Sequence, residues 1–190
     1  NRTSNDKFKI NFTMWNIWKM GKIENENNLS HEGNCWIYEN SKVLENGFIG
    51  ENAIAKGNSI ITNNGKATGD TVLNGNTIIC NNGIATDNAY LDGKTLICEN
   101  AFAGENVKVK DIIVKGSARV KGNLDISGEK VISEGLICSL EDLKHYTAEE
   151  KFTDNDIKTF KKGIDIGGYV TAEADIEVIS EEKSFNRRKN

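Results

Sequence analysis

The sequence has no proline, only two histidines, and no CxxC pair among its four cysteines. Each scarcity excludes something. Proline deletes ladder hydrogen bonds, so its absence from 190 residues suits a long architecture of stacked strands. Cysteines without metal-type spacing give no zinc module. We expect reduced thiols in a cytoplasmic setting. No apolar run approaches the roughly 18 residues of a membrane-spanning helix. Net charge is only −4 with 27% charged residues. That balance offers neither the basic surface nucleic acid requires nor an electrostatic case for anionic membranes. The opening residue, Asn1, is expected to reflect a trimmed or processed terminus.

What the chain has instead is a six-residue repeat. From Asn34 it reads NCWIYE, NSKVLE, NGFIGE, NAIAKG, NSIITN, NGKATG, DTVLNG, NTIICN, NGIATD, NAYLDG, KTLICE, NAFAGE without a gap. NVKVK is one residue short. DIIVKG, SARVKG, NLDISG and EKVISE then resume the register, and GLICSL closes it. The fourth position (Ile37, Val43, Ile49, Ala55, Ile61 and onward to Ile132) is never polar, so it should fill an interior bore. The second position of the gapless block is always Cys, Ser, Gly, Ala or Thr, as a tight bend demands. The first is mostly Asn, which tolerates left-handed backbone and bonds locally at corners.

A longer period of 18 residues is superimposed. NGFIGE, NGKATG, NGIATD and NAFAGE begin at 46, 64, 82 and 100. Three hexads therefore form one coil, and about six coils fit before residue 138 at the strand spacing of a sheet. Asn46, Asn64, Asn82 and Asn100 should stack as a ladder. Antiparallel hairpins are the alternative, but they require apolar–polar alternation of period two. The predicted fold is an all-β parallel β-helix spanning 34–138. A small cap and lead-in occupy 1–33, and a short α/β segment with a basic tail occupies 139–190.

Segments such as VLENGF and IGENAI resemble the hexapeptide repeat of left-handed parallel β-helices, and left-handedness is implied by that resemblance. The stretch IENENNLSHEGNCWIYENSKV, Ile23 to Val43, is similar to the opening of YdcK-like β-solenoids: an acidic segment, then N-L-S, then G-x-C-W-[I/V]-Y. The resemblance covers about residues 21 to 138. Gly21-Lys22 stands where that family usually has Gly-Gly-Trp, which predicts a differently built cap. Such proteins are commonly labelled transferase-like, and many occur in bacteria and phages.

Acyltransferases of this fold bind an acyl-CoA type donor between subunits and use a histidine base. His31, in the lead-in, is the only weak catalytic candidate and reads better as a cap residue. His145, in the polar stretch SLEDLKHYTAEEKF, reads as a solvated side chain. The γ-type carbonic anhydrases share the fold but need three zinc histidines, which two histidines cannot supply. No cofactor or metal is implied.

The third position faces outward and gives three columns. One is Lys42, Ile60, Ile78, Leu96, Ile113. A second is Trp36, Ile54, Val72, Tyr90, Lys108. A third is Phe48, Lys66, Ile84, Phe102, Arg119. Apolar stripes of this length are rare on soluble monomers. We therefore expect Trp36, Ile54, Val72 and Tyr90, and Ile60, Ile78, Leu96 and Ile113, to be binding residues that meet another chain or are covered by the tails. A homo-oligomer (trimer or dimer) and a protein partner are expected, with glycan binding on the Trp36/Tyr90 face as the alternative.

Cys80 and Cys98 fall in one column of adjacent coils, within disulfide reach, and project outward by the register. A stacked pair of free thiols is the plainer reading, and a surface disulfide would argue for an oxidising compartment. Cys35 takes a small inward position and Cys138 a bore position. KFKINFTMWNIWKM, with Phe8, Ile10, Phe12, Trp15 and Trp18, is assigned to an end cap, which solenoids need against edge pairing. A helix is expected from Leu140 to Tyr146, started by Ser139. A second follows Thr153 or Asp154 and ends at Gly163, and a strand runs from Tyr169 to Ile179. The terminal SFNRRKN has too few basic residues for nucleic acid. The sequence therefore favours a non-enzymatic scaffold or binding module, for which the resemblance implies a phage or mobile-element origin, over an acyl-CoA-dependent transferase.

Overall fold

The chain divides into two units, Asn1–Lys151 and Phe152–Asn190. The computed structural model describes residues 20–146, all within the first unit. The expected N-terminal cap, the second helix, the strand at 169–179 and the tail lie outside the described residues.

Short strands, most of two residues, recur at the third and fourth positions of the hexads, and each pairs in parallel with its equivalent one coil away. The result is a parallel β-solenoid of about six coils. Its three flat faces are named here by an outward residue. The Trp36 face runs through Trp36, Ile54, Val72, Tyr90, Lys108 and Asp125. The Ile60 face runs through Lys42, Ile60, Ile78, Leu96 and Ile113. The Phe48 face runs through Phe48, Lys66, Ile84, Phe102, Arg119 and Leu136. Pairing begins before Asn34: Lys22–Ile23 lies against Lys42–Val43, and Leu29 is opposite Ile49.

The fourth-position residues fill the bore. Val43 to Ile132 are all buried, and Ile37 packs against them at the first coil. Their sizes are balanced around each coil: Ile49, Ala55 and Ile61; then Ala67, Leu73 and Ile79; then Ala85, Leu91 and Ile97; then Ala103, Val109 and Val114. Four successive coils thus carry one alanine each. A bore of fixed width has room for two large side chains and one small, at the density of a protein interior.

The small second position is explained by backbone proximity. A Cβ on Gly47, Gly65 or Gly83 would sit 2.6, 2.5 or 2.4 Å from the carbonyl oxygen of Ile61, Ile79 or Ile97. Left-handed backbone falls elsewhere than the sequence suggested. It is not at the first-position asparagines but at the sixth residue before each corner: Glu39, Glu45, Glu51, Asn63, Asn81, Asp87, Glu99, Glu105 and Asp111 all have φ between 52° and 62°. Glycine takes the same place at Gly57, Gly69, Gly75 and Gly93, where no Cβ penalty arises.

The asparagines form ladders instead. Asn46 donates to Asn64 at 3.4 Å, Asn64 to Asn82 at 3.3 Å and Asn82 to Asn100 at 3.2 Å. A second ladder links Asn40, Asn58 and Asn76 at 3.1 Å per step. The sixth-position acids close the corners. Glu39, Glu45, Glu51 and Glu99 accept from the backbone N–H of Gly57, Asn63, Gly69 and Gly116, at 2.6, 2.9, 2.6 and 2.7 Å. A charged acceptor thus satisfies an amide that no ladder reaches.

Two register steps depart from the hexad reading. Asp111 has the left-handed backbone of a sixth position, so the missing residue is the first-position corner residue after it, not the end of NVKVK. Without that corner, Lys108–Val114 passes continuously from the Trp36 face to the Ile60 face and joins both into one 11-stranded sheet. Ile97 then pairs with Val114, a step of 17 rather than 18. A second shortening puts Ile137, not Cys138, opposite Val120. Ile137 fills the bore and Cys138 is exposed, which corrects the assignment of Cys138 to the interior.

The ends are built from local capping. Asn25 and Asn28 form a capping box around the 3-10 turn Glu26–Asn28, and buried Asn28 donates to the carbonyls of Glu45 and Gly47, each at 2.8 Å. At the other end, the expected helix is only the 3-10 turn Asp142–His145. Ser139 and Asp142 cap this turn reciprocally: the Asp142 N–H donates to Ser139 Oγ at 3.3 Å, and the Asp142 carboxylate accepts from the Cys138 and Ser139 backbone N–H groups at 2.9 Å.

Candidate functional site

The outward columns are the surfaces on which a rigid rod can act, and the three faces treat them differently. On the Trp36 face, Trp36, Ile54, Val72 and Tyr90 stand in register on successive rungs. Trp36 is 41% exposed and the other three are half-buried. Three steps at about 4.8 Å give an apolar stripe about 14 Å long. Beyond Tyr90 the column turns polar with Lys108 and Asp125. Beside it runs a column of Tyr38, Lys56, Asn74, Asp92 and Lys110. There Asn74 donates to Asp92 at 2.8 Å and Lys110 lies 3.9 Å from Asp92. The Tyr38 ring stacks on Trp36, centroids 5.8 Å apart and 12° from parallel. The stripe therefore begins on a flat aromatic pair.

The Phe48 face is interrupted. Lys66 and Arg119 are exposed, and the Arg119 guanidinium lies 4.3 Å over the Phe102 ring. Phe48 and Phe102 fold back over Gly50 and Gly104, where a Cβ would meet their rings at 2.7 and 2.5 Å. These phenylalanines spend part of their apolar area on their own face.

The Ile60 face is closed. Ile60, Ile78, Leu96 and Ile113 are 3–4% exposed, although the register turns them outward. The neighbouring outward column is closed too: Leu44, Thr62, Cys80 and Cys98 are all buried. The two outward cysteines are therefore not surface thiols, as the register alone implied. Both are free. Burial pushes the Cys80 thiol well above its ordinary range, and the adjacent Cys98 adds to the shift. Cys35 is half-buried against the core, its Sγ 3.7 Å from the Ile49 carbonyl oxygen.

His31 sits on the strand Leu29–Gly33 with its side chain 53% exposed, its Nε2 3.2 Å from a Glu26 carboxylate oxygen. The carboxylate can orient the ring, but both groups are open to water. A shallow depression lined by Glu134, Leu136, Asp142 and Tyr146 lies at the opposite end of the same seven-stranded sheet. Among the described residues, no group of three or more His, Cys, Asp or Glu is placed to hold a metal ion. No helix among them is long and apolar enough to cross a membrane.

No protein-family model matches this chain, and no curated protein or solved structure shows significant similarity to it.

The structure thus brings Trp36, Ile54, Val72 and Tyr90 into one open stripe, buries Ile60, Ile78, Leu96 and Ile113 together, and leaves His31 apart from both. Sequence reasoning missed Tyr38 as the partner of Trp36, although its fifth position already put it on the same face. It also missed the corner acids, whose signal was the recurring Glu closing NCWIYE, NSKVLE and NGFIGE.

Proposed function

We propose that this chain is a non-enzymatic β-solenoid scaffold or binding module that self-associates and engages a macromolecular partner through its Trp36 face. The observation that carries this reading is the open, in-register stripe of Trp36, Ile54, Val72 and Tyr90 on a rigid sheet. Apolar stripes of this kind mark interaction surfaces, and aromatic anchors dominate their energetics. Rigidity helps, because a preformed strand array loses little conformational freedom on binding. A phage or mobile-element origin accords with the resemblance of the lead-in. An acyl-CoA transferase is the weaker reading, since His31 pairs with Glu26 in solvent and the hexads run unbroken from Asn34 to Glu105. Glycan binding has one observation in its favour, the exposed Trp36–Tyr38 pair, which offers a flat ring surface to a sugar.

Light scattering on the purified chain tests the proposal. We expect an oligomer, and loss of mass or of the co-purifying partner in Trp36→Ala and Tyr90→Ala. A wild type that is monomeric and binds nothing through this face refutes it. Calorimetry with acetyl-CoA should show no heat. Binding that disappears in His31→Ala would establish the enzyme reading instead. Loss of a glycan ligand with the oligomer intact would favour the sugar-binding reading.

A further inference from the structure

We infer that the Ile60 face is an intramolecular docking surface, occupied by the chain's own N-terminal segment, residues 8–18. This inference is independent of the role proposed for the Trp36 face.

The solenoid contains its own control. All three faces present outward residues at the third and fifth positions in the same backbone register. On the Trp36 face the fifth-position residues Tyr38, Lys56 and Asn74 are half-buried, and on the Phe48 face so are Thr68 and Thr86. On the Ile60 face the equivalent Thr62, Cys80 and Cys98 are buried completely, beside an isoleucine and leucine column that is equally closed. Register cannot produce that difference, so something lies over the face. These exposures are those of a single chain, so the cover is intramolecular. The described elements outside the coils do not supply it: the turn at Glu26–Asn28 packs on Phe48–Glu51, and the turn at Asp142–His145 packs on Leu136–Ile137.

Chain connectivity selects the N-terminal segment. The first described strand, Lys22–Ile23, pairs with Lys42–Val43, the opening rung of the Ile60 face itself. Met20 bridges Tyr38 and the Gly21 N–H donates to the Ile37 carbonyl at 2.9 Å, both on the Trp36 face just before the corner that leads to Lys42. The preceding residues are therefore tethered at the corner between the Trp36 and Ile60 faces, beside the first rung of the closed face. Reach is sufficient. From Lys42 to Ile113 is four rungs, about 19 Å. About six extended residues or about 13 helical ones would span it, and 19 residues precede Met20. Chemistry matches as well. Phe8, Ile10, Phe12, Trp15 and Trp18 are large apolar groups, and the face they would cover is isoleucine, leucine, threonine and thiol.

The buried thiols report on the cover. In the wild-type chain, maleimide should label exposed Cys138 and spare Cys80 and Cys98, read by peptide mass mapping. An Ile10→Asp/Phe12→Asp chain that keeps its far-UV spectrum should label Cys80 and Cys98 faster by about tenfold or more, with Cys138 unchanged. A photo-cross-linking phenylalanine analogue at position 12 keeps the inference testable should that variant not fold. It should join peptides containing Ile60, Ile78 or Leu96 within a chain of monomer mass. Unchanged thiol protection in a folded variant overturns the inference. So does a cross-link to the Trp36 or Phe48 face, or one that joins two copies.

Discussion

Ile79→Ala and its rescue test whether the bore is filled coil by coil. Ile79 is fully buried, and the same coil carries Ala67 and Leu73 on its other two faces. Truncation removes three carbon atoms from a space that cannot collapse, because each rung is hydrogen-bonded to coils on both sides. Ile78 N–H donates to Thr95, for example, and Ile60 N–H to Thr77. The cost should fall in the upper part of the usual range, about 4 kcal/mol. Ala67→Ile alone adds the same atoms where none fit and should cost about 1–3 kcal/mol by overpacking. Added together, about 5–7 kcal/mol approaches the whole stability of a typical domain. The double variant moves volume from one face to another within one coil and keeps the sum constant. It should recover at least about 1.5 kcal/mol of coupling and stay folded. Urea unfolding followed by circular dichroism gives all four free energies. A double variant as unstable as the sum of its parents would refute compensation across the bore.

Three further outcomes follow from particular groups. Ser59 Oγ and Thr71 Oγ1 are buried with no hydrogen-bond partner, so Ser59→Ala and Thr71→Val should leave the melting temperature unchanged or raise it, the opposite of most core changes. Glu45→Ala removes the acceptor of the Asn63 backbone and side-chain amides and of the Thr62 hydroxyl. It should cost about 1–3 kcal/mol and speed hydrogen exchange at Asn63. Burial, reinforced by Cys98, keeps Cys80 protonated in the folded state. The unfolded thiol ionises near about 8.5, so stability should be level below that pH and fall above it, by up to about 1.4 kcal/mol per pH unit. Unfolding at pH 8 and 9.5 should show that loss in the wild type and not in Cys80→Ala.

Much of the fold was legible because a solenoid repeats its local pattern with its tertiary one. Ile61, Ile79 and Ile97 are equivalent in sequence and become neighbours in space, so a column read on paper is a column in the molecule. The Asn46 ladder followed from the same identity. The corner conformation was less legible, because Asn and Glu are adjacent there and either can be written as the turn residue. What settles it is the acceptor geometry one coil away: Glu45 must reach the Asn63 N–H. Cys138 was misplaced because a one-residue deletion looks the same wherever it falls within a hexad, and pairing with Val120 alone locates it.

The candidate site was legible in part for a related reason. Alternation identifies which side chains turn outward, since strand geometry is local. It does not say whether outward means exposed.

The sequence by itself determined the inside of this protein: the bore, the coil length, the small second position and the asparagine stacks, all consequences of a period that covalent geometry enforces. Only the tertiary structure decided the outside. Trp36 stays open beside Tyr38, Phe102 folds over Gly104, and Ile60 and Cys80 are sealed. Exposure depends on what distant parts of the chain do, and no repeat of six residues carries that information.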